Sequence, residues 1–97
     1  MRSLQLKYDF DREEILILET EGDSDVEFEI KFIGDPSIAL RLKEVQKKFA
    51  ENDVYTDALF YMYEDLRHKI IVRKEYYIDF IMALMKYQLL TRVEWIR

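Results

Sequence analysis

Asp25-Val26-Glu27-Phe28-Glu29-Ile30-Lys31-Phe32, running on into Ile33-Gly34-Asp35-Pro36-Ser37, is the stretch on which the fold turns. Val26, Phe28, Ile30 and Phe32 alternate with Glu27, Glu29 and Lys31, the period of a strand with one face in a core and the other in water. After it the period changes. Pro36 suits the first turn of a helix, where its missing N–H would have had no partner, and Asp35 is placed to cap the free N–H groups. Ile38, Leu42, Val45 and Phe49 then fall within about 60° of one another on a wheel of 3.6 residues per turn. Arg41, Lys43, Glu44, Lys47 and Lys48 fill the remaining circumference, with Leu40 an apolar exception on that outer side. A half-buried strand leading into a one-striped helix predicts a helix laid on a sheet.

The same reading extends in both directions. Leu4, Leu6, Tyr8 and Phe10 alternate with Gln5, Lys7 and Asp9, which predicts a first strand. After the polar turn 11–14, Ile15-Leu16-Ile17-Leu18 is apolar on both faces and predicts an interior strand. Residues 21–25, Glu-Gly-Asp-Ser-Asp, form a turn by composition. Beyond the first helix, Asn52-Asp53 breaks the pattern, and residues 54–66 support two readings. Val54, Ala58, Met62 and Leu66 keep helical spacing, yet Phe60-Tyr61-Met62-Tyr63 is rich in strand-favouring aromatics. A hairpin is preferred, with 58–63 outward, Glu64-Asp65 turning, and 67–73 returning. Residues 75–90 predict a second helix by length and by their Leu, Met, Ala and Lys content. Thr91 ends it, and residues 93–96 form a short last strand. The order βββαββαβ predicts an α+β, two-layer sandwich, a mostly antiparallel sheet with two helices on one face.

Composition sets the frame. With 97 residues, 49% of them hydrophobic, 14% aromatic and only two glycines and one proline, the chain predicts a single domain over 1–97 with one core. It carries no cysteine. That excludes disulfides, thiolate metal sites and cysteine nucleophiles, and it favours the reducing cytoplasm. The opening MRSLQLKYDF alternates polar and apolar residues, unlike the unbroken apolar core of a signal peptide. The greasiest stretch, 76–90, contains Asp79, Lys86 and Gln88 and is shorter than the ~20 residues a membrane span needs.

Charge is uneven. Residues 1–36 hold four Lys/Arg against eleven Asp/Glu, whereas 37–97 hold eleven against nine, for a formal net of −5. An acidic total repels polyphosphate unless a basic patch is gathered on one face. The acidic third reads as a solvated face, and it would also suit a basic partner.

Catalytic and metal chemistry find little to work with. Asp23, Asp25 and Glu27 have the spacing of positions 1, 3 and 5 of a calcium loop, but Phe28 and Gly34 stand where its glycine and bidentate glutamate belong. Asp9, Asp11 and Glu13 start the same way and also fail at position 6, which is Glu14. His68 is the only imidazole, expected in or just after a hairpin turn and flanked by Arg67 and Lys69, with no serine or threonine assigned to it by sequence. Asp79 reads as part of a polar stripe with Glu75 and Lys86. No catalytic, metal or cofactor-binding residue is predicted, and no cofactor.

Two features point to partners. On a helical wheel the second helix is apolar almost all round, from Tyr76 to Leu90, with only a narrow polar strip at Glu75, Asp79 and Lys86. A helix lying on one sheet should show water about half its circumference, so either the first helix and a loop cover the excess or a second copy does. A two-layer domain lacks a third layer, which favours the copy, with Tyr77, Ile81, Met82, Met85 and Leu89 as interface candidates. The predicted role is a non-enzymatic binding or regulatory protein acting through protein–protein contacts, as a homodimer or as an acidic antagonist of a basic partner. The alternative is a small nucleic-acid-associated protein using the basic and aromatic segment 61–77, where Arg67, Lys69, Arg73 and Lys74 interleave with tyrosines.

Overall fold

A computed structural model describes residues 4–50, 58–63 and 67–97. Strands β1 (Gln5–Asp9), β2 (Ile15–Glu21) and β3 (Asp25–Phe32) precede a 3-10 turn at Pro36–Ile38 and helix α1 (Ala39–Ala50). Strands β4 (Ala58–Met62) and β5 (Arg67–Arg73) follow, then a second 3-10 turn at Lys74–Tyr76, helix α2 (Tyr77–Lys86) and strand β6 (Arg92–Ile96). The α+β class and the order βββαββαβ are as expected from the chain. Within the ambiguous segment 54–66, Ala58–Met62 is strand, while 54–57 and 64–66, on which the expected Glu64-Asp65 turn falls, lie outside the described residues.

All strand pairs are antiparallel, but they form two sheets rather than one. The main sheet has the order β2-β3-β5-β4, and β1 pairs only with β6 in a separate two-stranded ribbon. β2 is therefore an edge strand, not the interior strand its apolar run predicts. Ile15 and Ile17 are buried, whereas Leu16 and Leu18 project to the surface, Leu18 with 66% of its area exposed. Four apolar residues in a row satisfy the burial of alternate ones only, and no neighbouring layer covers the other two.

Alternation on β3 works as read. Val26, Phe28, Ile30 and Phe32 are buried, and β5 aligns Ile70 and Val72 beside them on the same face. Against that face lie Leu42 and Val45 of α1 and Phe80, Ile81 and Leu84 of α2. Four phenylalanines join the layers, because the Phe80 ring sits 4.7 Å from Phe28, 5.9 Å from Phe49 and 6.3 Å from Phe60. Asp35 caps the turn into α1 by accepting the Ser37 N–H at 2.9 Å, with Pro36 next to it. Gly34 lets the Glu14 carboxylate lie close against the backbone there, where it accepts the Asp35 N–H at 3.2 Å; a Cβ at 34 would push that side chain aside.

α2 stops at Lys86, earlier than the 75–90 span predicted. Gln88 has φ of 62°. Around it the Leu89 N–H reaches the Leu84 carbonyl at 2.9 Å and the Gln88 N–H reaches the Met85 carbonyl at 3.1 Å. That pair of bonds is a Schellman ending, which usually uses glycine at the left-handed position. The reversal it makes tucks Leu89 and Leu90 into the core.

Candidate functional site

Among the described residues the four-stranded sheet has helices on one side only, and its other side is a ladder of charges. On it β3 carries Asp25, Glu27, Glu29 and Lys31, and β5 carries Arg67, Lys69 and Arg73. Arg67 bridges Glu29 at 2.9 Å and Lys69 bridges Glu27 at 2.9 Å, each diagonally across the strand pair. The Glu27 carboxylate raises the Lys69 pKa, through its hydrogen bond first and its charge second. Arg73 stands opposite Asp25 in register, and Lys74 lies 3.7 Å from Glu21. The structure thus brings Arg67, Lys69 and Arg73 onto one face, with a carboxylate next to each and to Lys74. Of the interleaved tyrosines, Tyr61 and Tyr63 share this face, Tyr63 under the Arg67 guanidinium at 5.2 Å. Tyr76 and Tyr77 pack against the core instead.

Carboxylates elsewhere in the acidic third also have internal work. Glu19 accepts the Tyr8 hydroxyl at 2.7 Å, and Asp11 accepts the Glu13 N–H at 3.0 Å. Burial first, and then the hydrogen bond to Glu19 and its charge, hold the phenols of both Tyr8 and Tyr77 well above their ordinary pKa. Glu19 thus ties the ribbon strand β1 and helix α2 to the same point of β2. A cleft of about 390 Å³ opens there, lined among others by Leu6, Glu19, Glu21, Lys74, Tyr77 and Ile78. Among the described residues no three or more His, Asp or Glu side chains are grouped to hold a metal ion.

His68 is the second residue of the returning strand of the expected hairpin. It lies in β5 on the helix-facing side, half-buried and edge-on to Phe32 at 5.2 Å. Burial, and then the Lys43 cation, lower its pKa. Alternation with Ile70 and Val72 was the signal that placed it inward.

The candidates on α2 divide. Ile81 and Leu89 are buried in this chain's own core, at 0% and 4% exposure. Tyr77 is partly buried, stacked 5.9 Å from Phe28. Met82 and Met85 are exposed, and with Ile78 they make a stripe about 60° wide. Asp79 and Lys86 are exposed beside that stripe, while Phe80, Ile81, Ala83 and Leu84 are buried in the core, against which Leu6, Tyr8 and Val93 of the β1–β6 ribbon also pack. The ribbon is the added layer that one flat sheet would not supply.

A second apolar tract escaped the sequence reading. Leu59, Tyr61, Met62 and Tyr63 are all exposed, Met62 most of all at 70%. The first three belong to β4, the outermost strand of the main sheet beside β5, and Tyr63 follows it directly. The signal was available, since 58–63 contain no charge in a chain that is 36% charged. Compared with known proteins, the chain matches no family model, no curated protein and no solved structure.

Proposed function

We propose that this chain is a non-enzymatic binding protein of the cytoplasm that acts through protein–protein contacts and works as a homodimer. One observation carries the reading. Among the described residues, half of the exposed large apolar side chains fall in two short segments, Leu59, Tyr61, Met62 and Tyr63 on and directly after β4 and Ile78, Met82 and Met85 on α2. Scattered apolar residues are ordinary on any surface, but contiguous ones mark sites of contact. Tyrosine and methionine are also the residue types that interfaces favour. The nucleic-acid alternative over 61–77 draws less support, because its cations have carboxylates at hand on β3 and β2. The acidic-antagonist form is weakened by the same pairs, which engage Glu21, Glu27 and Glu29 internally.

Sedimentation velocity from about 1 to 100 μM tests the reading, since association of this kind depends on concentration. A dimer population that grows over that range is the expected result. A chain that stays monomeric at the top of it overturns the homodimer.

A further inference from the structure

Edge strands expose unpaired N–H and C=O groups, and proteins guard them with charges, proline or bulges. β2 has such guards, with Glu19 and Glu21 in it and the Tyr8 hydroxyl bonded to Glu19. β4 has none. Ala58-Leu59-Phe60-Tyr61-Met62-Tyr63 is uncharged, lacks proline and pairs with β5 in unbroken register. The Tyr63 N–H donates to the Arg67 carbonyl at 2.8 Å, and this bond sets the phase of the strand. In an antiparallel pair alternate residues turn their backbone groups to the neighbour. Leu59, Tyr61 and Tyr63 therefore face β5, whereas Ala58, Phe60 and Met62 direct N–H and C=O away from the sheet, where no strand among the described residues meets them.

Resting on the homodimer reading, we propose that the second copy docks on this edge, β4 against β4 antiparallel about a two-fold axis at Phe60, so that the two main sheets become one. Symmetry makes the seam self-complementary. Phe60 faces Phe60 of the other copy, and the small Ala58 faces the large Met62. These are the residues whose backbone groups point outward, so each such pair exchanges two hydrogen bonds. On the charged side of the sheet, Leu59 of each copy stands opposite Tyr61 of the other, an aliphatic–aromatic cross-strand pair. A neutral strand pairs with its own copy without like-charge repulsion. Self-pairing of β2 would instead bring Glu19 and Glu21 of two copies together.

Charge exchange across the seam tests the register. In one chain Tyr61 faces Lys69, so a glutamate at 61 is tolerated within the monomer. The double variant Leu59→Glu with Tyr61→Glu sets like charges opposite each other twice across the seam. Leu59→Lys with Tyr61→Glu sets opposite charges there. With circular dichroism of both variants confirming the fold, sedimentation should show the first dissociating at least about tenfold more readily than wild type and the second remaining dimeric. If the Glu/Glu variant dimerises as wild type does, or both variants dissociate alike, the seam as described is wrong. Dissociation by Met82→Glu or Met85→Glu with the Glu/Glu variant still dimeric moves the contact to α2 and leaves the homodimer standing. A monomeric wild type removes both.

Discussion

Phe80→Leu would remove the ring at the centre of the aromatic cluster while keeping an apolar side chain of similar size. Phe80 is fully buried, and its ring meets Phe28, Phe49 and Phe60 at centroid distances of 4.7, 5.9 and 6.3 Å. Each aromatic pair contributes about 0.5–1.5 kcal/mol beyond area burial, so losing the three costs about 1.5–4.5 kcal/mol. A chain of this length has a total stability of roughly 5–15 kcal/mol, so the variant should still fold. One kcal/mol moves the melting temperature of a domain this small by about 4–8 °C, which places the expected fall at about 6 °C or more. Thermal unfolding followed by far-ultraviolet circular dichroism reads it directly. Leu40→Ala serves as control, because Leu40 is 59% exposed on the outer side of α1, and it should stay within about 0.5 kcal/mol of wild type. A Phe80→Leu melting temperature within about 3 °C of wild type, or no lower than that of Leu40→Ala, would refute the claim that this ring joins α1, α2 and the sheet.

Gln88→Gly should raise the melting temperature by a few degrees, since Gln88 holds a φ of 62° that glycine adopts without Cβ strain; an unchanged or lower value would mean the position is not strained. The lowered pKa of His68 means that the fold prefers neutral imidazole, so the unfolded chain binds the extra proton. Stability from this source is complete above the ordinary imidazole pKa and declines as pH falls below it. Melting temperatures measured between about pH 7 and 5.5 should fall in wild type and flatten in His68→Gln, and parallel curves would refute the assignment.

Local patterns on single elements were legible because they depend only on neighbours in the chain. Alternation in 26–32 identified β3 and its buried face, and the Asp35-Pro36 pair marked the entry to α1, both as found. The end of α2 was not legible, because its Schellman turn uses Gln88 where the signal is ordinarily a glycine. Within the interface candidates, Met82 and Met85 are on the surface while Ile81 and Leu89 are core, a division that hydrophobicity alone does not make. The uncharged tract 58–63 was visible as sequence, but its meaning depends on lying at the edge of a sheet.

By itself the sequence determined the class, the order of elements and the apolar face of most of them, because the periods of 2 and 3.6 are properties of the backbone. Only the tertiary structure decided which strands are neighbours. Sheet partners are chosen by contacts between segments far apart in the chain. β1 leaves the main sheet to pair with β6, and β2 is thereby left at one edge and β4 at the other. The same choice puts Glu27 and Glu29 beside Lys69 and Arg67, turning an acidic tract and a basic tract into a paired ladder. It also sets Leu6, Tyr8 and Val93 of the ribbon against the core that α2 enters, and α2 buries Phe80, Ile81, Ala83 and Leu84 there while Ile78, Met82 and Met85 face water beside Asp79 and Lys86.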